Sequence, residues 1–229
     1  MDLKYAVFAL VLVVYCSSFQ ETDIEPPYVK FCKRKSCLPV QNNSQVLSYC
    51  QRKELMMDGR CCIHYNGTSN ITLGMDLSNC DIEELHAEMF AAFNSVEVLM
   101  LQNNPFPKFK AMHFVGLTNL TELYLPLLNG TCPGGNQSWE SIEVQNSIAM
   151  CFNEEDTCKS HNLTCPPNAY CTTAGPGSAT CTCVKDYYGY KCMRTGHFPM
   201  LVYTVSAAVG ITTLSLFLWL MRRFNGTKV

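Results

Sequence analysis

Cysteine is the residue type that could carry the most chemistry in this chain, because fifteen of the 229 residues are cysteines. Cysteines bind zinc, act as nucleophiles or pair as disulfides, and the compartment largely decides which of these occurs. Residues 1–18 have the pattern of a secretory signal peptide, with Lys4, an apolar run over residues 6–15 and small residues before Phe19. Cleavage removes Cys16 and leaves an even number of cysteines. The sequence therefore predicts a disulfide framework formed in an oxidising compartment.

Other residues that could perform chemistry do not combine into a site. Cys61, Cys62 and His64 imitate a metal cluster, but sulfurs oxidised to disulfides do not bind zinc. The sequence contains no G-x-S-x-G, H-E-x-x-H or P-loop motif, and its five histidines are scattered. The net charge of -2 gives no reason to expect a nucleic-acid partner. We therefore expect a protein that is not an enzyme and that uses no cofactor or metal.

The elements around these cysteines begin with a repeat. Apolar residues recur every 24 positions in the leucine-rich pattern L-x-x-L-x-L-x-x-N-x-L. The matching residues are Val96, Leu99, Leu101, Asn104 and Phe106; Met75, Leu77, Cys80 and Ile82; Leu120, Leu123 and Leu125; and, in the second halves, Leu85, Phe90, Phe93, Phe109, Phe114 and Leu117. We predict a short leucine-rich-repeat solenoid over residues 71–131, with two full repeats and a truncated third. Asn104 should hydrogen-bond the backbone at the bend.

Cysteine-rich segments flank the repeats, at residues 19–70 and 132–153. Repeats bury their apolar edges only against neighbours, so an array this short needs such caps. If Cys132 pairs with Cys151, six cysteines remain and allow fifteen connectivities; they are Cys32, Cys37, Cys50, Cys61, Cys62 and Cys80. A buried free thiol is common at the repeat position of Cys80, but the even cysteine count favours a bridge there.

The cysteines after residue 154 follow another pattern, C-x6-C-x5-C-x9-C-x-C-x8-C. Its last part, CTC at 181–183 followed by Gly189 and Cys192, resembles the signature of EGF-like modules, which places such a module at residues 154–194. The resemblance implies three bridges around a small hairpin: Cys158–Cys171, Cys165–Cys181 and Cys183–Cys192. Calcium is not expected, because the lead-in EEDT at 154–157 departs from the acidic-x-acidic pattern of calcium-binding members.

A membrane span is predicted at residues 198–221, which carry no charged side chain. A helix of this length crosses about 30 Å of hydrocarbon. Arg222 and Arg223 follow, which predicts that residues 222–229 are cytosolic and that the N-terminus lies outside. Seven Asn-X-Ser/Thr triplets precede the span and indicate a glycosylated ectodomain; they begin at Asn42, Asn66, Asn70, Asn119, Asn129, Asn136 and Asn162.

Four short motifs are distinctive within this arrangement: RCC at 60–62, LGMDL at 73–77 with Asn79-Cys80, CPGG at 132–135 and GYKCMR at 189–194. With the order of the modules, they resemble the all-trans retinoic acid-induced differentiation factor family. The resemblance implies a non-enzymatic membrane glycoprotein linked to cell differentiation, including that of osteoblasts, and to restraint of proliferation. It implies the plasma membrane, the lysosomal membrane and the nuclear envelope as locations. It also implies two partners: a multispanning solute carrier that releases nitrogen-containing bisphosphonates from lysosomes, and a secreted osteogenic glycoprotein.

Three classes of function remain open at this point. The favoured class is an interaction protein, acting as an accessory subunit or co-receptor. The others are a membrane-tethered growth-factor precursor and an adhesion module; growth-factor ligands usually carry Arg and Leu around the last cysteine, whereas MRT follows Cys192 here. We predict that a partner meets the concave strand face near four residues, because repeat proteins commonly bind through strand faces and loops. These are Met75, Asp76, Met100 and Tyr124.

Overall fold

The computed structural model describes residues 27–67, 70–127, 132–196 and 200–225. The predicted signal peptide, the sequon at Asn129 and the last four residues lie outside these ranges. The chain divides into two compact units. One comprises Met1–His161 with Thr173–Ser178, and the other comprises Asn162–Thr172 with Ala179–Val229.

The first unit is built on one sheet of seven strands. The strands are β1 (Met56–Asp58), β2 (Cys61–Tyr65), β3 (Asn70–Asp76), β4 (Val98–Met100), β5 (Glu122–Pro126), β6 (Trp139–Gln145) and β7 (Ile148–Glu154). The helices are α1 (Pro27–Cys32), α2 (Gln45–Arg52) and α3 (Thr157–Ser160), with 3-10 turns at Ala111–Phe114 and Asn136–Ser138.

The repeat pattern positions the middle of this sheet. β3, β4 and β5 are adjacent and parallel, and Met75, Leu99 and Leu123 are aligned across them. Residues that are 24 positions apart in the sequence are thus direct neighbours, so each repeat contributes one strand. Parallel strands need a crossover connection, and the second half of each repeat supplies it.

The predicted solenoid is wrong as a description of this fold. The sheet order is β1-β2-β3-β4-β5-β7-β6, and only the three central strands are parallel. The cysteine-rich flanks add the antiparallel pairs β1–β2 and β6–β7 on either side. The physical reason is the small number of repeats: three cannot bury their own ends, so hairpins from the flanks extend the same sheet.

Aromatic rings fill the core between the sheet and the loops of the repeats. Phe90 and Phe114, from equivalent positions of successive repeats, are fully buried and stack with centroids 6.3 Å apart. Phe31 of α1 contacts Phe90 and Phe93 at 5.7 and 5.3 Å. Ring pairs at these separations stabilise beyond the area they bury. The N-terminal flank is therefore joined to the repeats through one shared core.

Asn104 holds the bend between two repeats, as predicted. Its amide oxygen accepts hydrogen bonds from the backbone N–H groups of Cys80 and Ile82, at 3.0 and 3.1 Å. Its amide nitrogen donates to the carbonyls of Leu77 and Leu101, both at 2.8 Å. All four groups lie in buried loop backbone, where unpaired polar groups are costly. One side chain thus satisfies the polar groups of two consecutive repeats.

The second unit contains most of the EGF-like cysteines and the apolar helix. β8 (Ala169–Gly175) and β9 (Ser178–Cys183) form a two-stranded sheet whose turn belongs to the first unit. β10 (Tyr187–Tyr188) pairs with β11 (Arg194–Thr195), on either side of a 3-10 turn at Tyr190–Cys192. The helix α4 (Met200–Asn225) follows.

Replacing Asn104 with alanine should reduce the free energy of unfolding by at least about 3 kcal/mol, because each buried polar group left unpaired costs about 1–3 kcal/mol. Urea unfolding of the oxidised protein, followed by the fluorescence of buried Trp139, measures the change. Lys108→Ala, an exposed change in the same loop, is the control and should have no effect. An Asn104→Ala protein as stable as this control would contradict the assigned role.

Candidate interaction surface

The predicted binding residues are not exposed. All four are buried: Met75, Asp76, Met100 and Tyr124 are at most 8% exposed, and Met75 and Asp76 are 1% exposed or less. Met75 belongs to the core beneath the sheet, whereas the other three lie on the opposite face. The structure therefore corrects the prediction that these residues form an open surface. We name the sheet face that carries Met100 and Tyr124 the helix face.

The helix α2 covers this face. It lies over β1 to β4 and buries Val46, Tyr49 and Cys50 against Met100 and other residues of the helix face. Gly74 permits the close approach, since a Cβ there would lie 3.0 Å from a methyl group of Val46. The sequence held a signal for this helix that was missed: the apolar residues of QVLSYCQR recur at helical spacing directly after Ser44.

A buried ion pair holds the start of α2 against the sheet. Arg60 and Asp76 are both buried, with their charged groups 3.4 Å apart. The Ser44 hydroxyl, directly before α2, donates to Asp76 at 2.6 Å. Asp76 also accepts from the N–H and the hydroxyl of Ser78, at 3.1 and 2.5 Å. The carboxylate thus connects the cover helix, the N-terminal flank and the first repeat.

Arg60 completes this network through the backbone. Its guanidinium donates to the carbonyls of Leu38, Asp76 and Ser78. Burial lowers the pKa of Arg60, and the charge of Asp76 opposes that shift. Breaking a buried ion pair leaves one charge without compensation and is strongly destabilising. Asp76 is therefore a structural residue.

Beyond α2 the helix face continues over β5, β7 and β6, where Tyr124 is buried, the residues of β7 are half-buried and those of β6 after Trp139 are exposed. There Phe152 contacts Tyr124 edge to face at 6.3 Å, and Ile148 and Met150 are half-buried beside them. Glu143 lies on the same face of β6, opposite Met150. The repeat pattern did not indicate these residues because β6 and β7 lie outside it.

Tyrosine–glutamate pairs line the border between the covered and open parts. The Tyr49 hydroxyl donates to Glu97, and the Tyr124 hydroxyl donates to Glu122, both at 2.8 Å. Burial raises the pKa of both phenols well above the ordinary value, and the carboxylate partners raise it further. Both tyrosines are consequently neutral donors. Arg52, at the end of α2, lies 3.9 Å from Glu122.

Disulfides fix the flanks to the sheet. The pairs in the N-terminal flank are Cys32–Cys61, Cys37–Cys80 and Cys50–Cys62. Cys80 is thus bridged, as the even cysteine count favoured, and Cys61 and Cys62 hold no free thiols for a metal. Cys50–Cys62 attaches α2 to β2. Cys132–Cys151 closes the C-terminal flank.

The EGF-like region is also held by disulfides. Cys165 pairs with Cys181 and Cys183 pairs with Cys192, while Cys158 and Cys171 are disulfide-bonded as well. Asp156, in the acidic lead-in, accepts hydrogen bonds from Thr173 and from the N–H of Cys158. These bonds lower the pKa of its carboxyl group, with the Thr173 bond as the largest cause. Asp156 thus caps the short helix α3.

The remaining predictions concern the sequons and the membrane span. Six sequon asparagines fall in the described ranges, and all are exposed. The helix α4 includes Met200–Met221, which is long and apolar enough to cross a membrane. This helix covers most of the predicted span; residues 198 and 199 lie outside the described ranges.

Two segments of the chain match known families, and one relative matches nearly the whole chain. Residues 165–194 match the family described as ATRAID-like, EGF domain, and residues 75–126 match the family described as leucine rich repeat. An all-trans retinoic acid-induced differentiation factor from Danio rerio is 33% identical over 224 residues, or 96% of this chain and 92% of that protein. The chain belongs to the all-trans retinoic acid-induced differentiation factor family.

Mammalian members of this family are similar to the chain over a smaller part of its length. The Homo sapiens protein of that name is 37% identical and the Mus musculus protein 35% identical. Those matches cover 80% and 79% of this chain, and the same shares of the relatives. No solved structure matches the chain. The relatives are named as differentiation factors, and with its apolar helix this family member is a membrane-anchored, differentiation-related protein.

The ion pair yields a prediction for this family member. Asp76→Leu or Arg60→Met alone should cost about 3–5 kcal/mol of stability, because each leaves a buried charge without its partner. The stability loss of the double variant should be smaller than the sum of the two single losses, because the double variant removes both charges. Urea unfolding of all four proteins gives the coupling energy. Additive losses would show that the pair is not coupled.

Glu154 yields a prediction about pH. Both of its carboxylate oxygens are shielded from solvent and have no hydrogen-bond partner within the described residues. Burial, and secondarily the charge of Asp156, raises the pKa of Glu154 from 4.5 to about 8. Between these values the folded chain keeps a proton that the unfolded chain loses, so stability should fall as pH rises.

Thermal unfolding between pH 5 and pH 8 tests this effect. The melting temperature should decrease by several degrees as the pH rises, and Glu154→Gln should remove most of that decrease. Glu155→Gln, the exposed neighbour, is the matched control and should retain the decrease. An unaltered pH profile for Glu154→Gln would refute the assignment.

Proposed function

We propose that the chain is a type I membrane glycoprotein that acts by binding other proteins and has no enzymatic activity. In this proposal a disulfide-stabilised ectodomain, glycosylated at the exposed sequons, precedes a single span and a short cytosolic tail. The main support is family membership over nearly the whole chain, together with the apolar helix α4. Arg222 and Arg223 after the span favour a cytosolic C-terminus.

The proposed role is that of an accessory subunit in cell differentiation, including osteoblast differentiation, and in the control of proliferation. The resemblance stated from the sequence suggests two partners. One is a multispanning solute carrier that releases nitrogen-containing bisphosphonates from lysosomes, and the other is a secreted osteogenic glycoprotein. The plasma membrane, the lysosomal membrane and the nuclear envelope are the locations proposed with them.

The chemistry of the ectodomain is consistent with binding. The polar groups of Arg60 and Asp76 are buried and are already hydrogen-bonded within the fold. Its exposed features are instead a sheet face and a strand edge, which are surfaces that bind other proteins. Affinity isolation of the full-length protein, with mass spectrometry of the co-purifying proteins, tests the proposal. The absence of any specific membrane or secreted partner would overturn it.

A membrane-tethered growth-factor precursor remains the alternative function. Receptor-activating ligands usually carry arginine and leucine around the last cysteine. Here exposed Met193 and Arg194 follow Cys192 without a leucine, which weakens this alternative. The interval between Cys192 and the span is also short for protease access. Conditioned medium distinguishes the two functions, because only a precursor releases a soluble EGF-like fragment.

Sorting of the protein gives a further prediction. The tail after Arg223 contains no tyrosine, no acidic dileucine and no other common lysosomal signal. Small residues of α4, Ser206, Ala207, Ala208 and Gly210, permit a partner helix to approach closely. Deletion of residues 224–229 should therefore leave lysosomal localisation unchanged in cells that express the carrier.

The matched measurement uses cells that lack the carrier. There both the full-length and the truncated protein should leave the lysosome, because the partner supplies the sorting signal. Loss of the truncated protein from lysosomes that still contain the carrier would show that the tail holds the signal.

A further inference from the structure

The strand β6 forms one edge of the seven-stranded sheet, and no described strand pairs with its outer side. It is seven residues long, and apart from Trp139 and the half-buried Ile142 its residues are exposed. Proteins usually shorten, bend or cover such an edge, because its free backbone groups pair readily with another chain. An open edge of this length is therefore a candidate binding surface.

The register of the β6–β7 hairpin identifies the free backbone groups. Gln145 pairs with Ile148 across a two-residue turn whose residues, Asn146 and Ser147, both have positive φ. In such a turn the two residues of the closing pair are hydrogen-bonded to each other. From there along β6, residues that are hydrogen-bonded to β7 alternate with residues whose backbone N–H and C=O groups point outward. The N–H of Asn153 donates to the carbonyl of Thr121, next to β5, which fits this alternation as far as Asn153. The alternation ends there, because the N–H of Glu154 donates to Leu120 on the same side.

The outward groups follow directly from that register. Residues 141, 143 and 145 are bonded to β7, so the N–H and C=O groups of Glu140, Ile142 and Val144 point away from the sheet. Val144 is also 55% exposed. Three alternate residues thus present backbone donors and acceptors that no described residue pairs with, in the geometry of a further strand.

Charge determines which kind of strand fits. The β6–β7 hairpin, residues 139–154, contains no lysine or arginine and three acidic side chains, of which Glu154 is buried and keeps its proton up to a pKa of about 8. On β6 itself Glu140 and Glu143 lie on opposite faces and are exposed, and neither forms an ion pair within the described residues. An incoming basic strand would find a carboxylate on each face. Residues 139–154 contain no sequon and therefore no acceptor for an N-linked glycan.

We propose that β6 is the docking edge for an extended, basic segment of a partner protein, which adds to the sheet as a further strand. Backbone hydrogen bonds to Glu140, Ile142 and Val144 supply affinity, and lysine or arginine side chains against Glu140 and Glu143 supply selectivity. A second copy of the chain fits less well, since its β6 would bring the same negative charge. The inference rests on the proposed function as a protein-binding subunit.

The test uses the full-length glycosylated protein in detergent. The probe is a fluorescent seven-residue peptide of alternating lysine and valine, and the control is the same peptide with glutamate in place of lysine. Fluorescence anisotropy should show binding of the basic peptide and no binding of the acidic one. Hydrogen exchange measured by mass spectrometry should show slower exchange over residues 139–145 when the basic peptide is present.

Two variants separate the backbone from the charge contribution. Val144→Pro removes an outward N–H while leaving the pairs with β7, and should weaken peptide binding at least about tenfold. Glu140→Lys with Glu143→Lys should abolish binding of the basic peptide and permit binding of the acidic one. Glu83→Lys with Glu84→Lys, exposed and distant in sequence from β6, should leave binding unchanged. Trp139 fluorescence reports whether each variant is folded.

The outcomes are distinct. Binding that survives Val144→Pro and the β6 charge reversal, or exchange protection confined to other segments, would overturn the proposal. If exchange of residues 139–145 slows with increasing protein concentration in the absence of peptide, β6 mediates self-association and the proposal is wrong. If the peptide fails to bind while specific partners still co-purify, this edge is excluded and the proposed function stands.

Discussion

The buried contact between Arg60 and Asp76 is the constraint on which the rest of the first unit depends. Among the described residues, its two charges are compensated by each other and by Ser44, Ser78 and backbone carbonyls, so all these groups must come together. Ser44 begins the helix α2, and Asp76 ends the strand of the first repeat. Satisfying one buried carboxylate therefore positions the cover helix on the sheet.

That placement determines which surfaces can bind. A helix fixed over β1 to β4 fills the part of the helix face where a repeat protein would otherwise receive a partner. Within the described residues, the helix face is most exposed over β6, and the hairpin of β6 and β7 contains glutamates and no lysine or arginine. The N-terminal flank is thus more than a cap: its helix α2 covers part of the helix face, and the accessible part lies on the C-terminal hairpin.

The flanks and the repeats also depend on each other for stability. Three parallel strands are too few to bury their own ends, and hairpins from both flanks continue the sheet. Disulfides such as Cys37–Cys80 and Cys50–Cys62 connect the N-terminal flank to the first repeat and to the cover helix. The buried Phe31 and Phe90 rings join them in one core.

The sequence by itself determined the features that repeat or are local. The 24-residue period identified the repeated residues that lie side by side on β3, β4 and β5, Asn104 was assigned to its bend, and the apolar segment was recognised from its length and its lack of charged side chains. Tertiary structure decided which face of the strands is covered, because residue spacing assigns Met100 to a face but cannot show that α2 packs there. It also decided the raised pKa of Glu154, since burial of a carboxylate depends on neighbours that are distant in sequence.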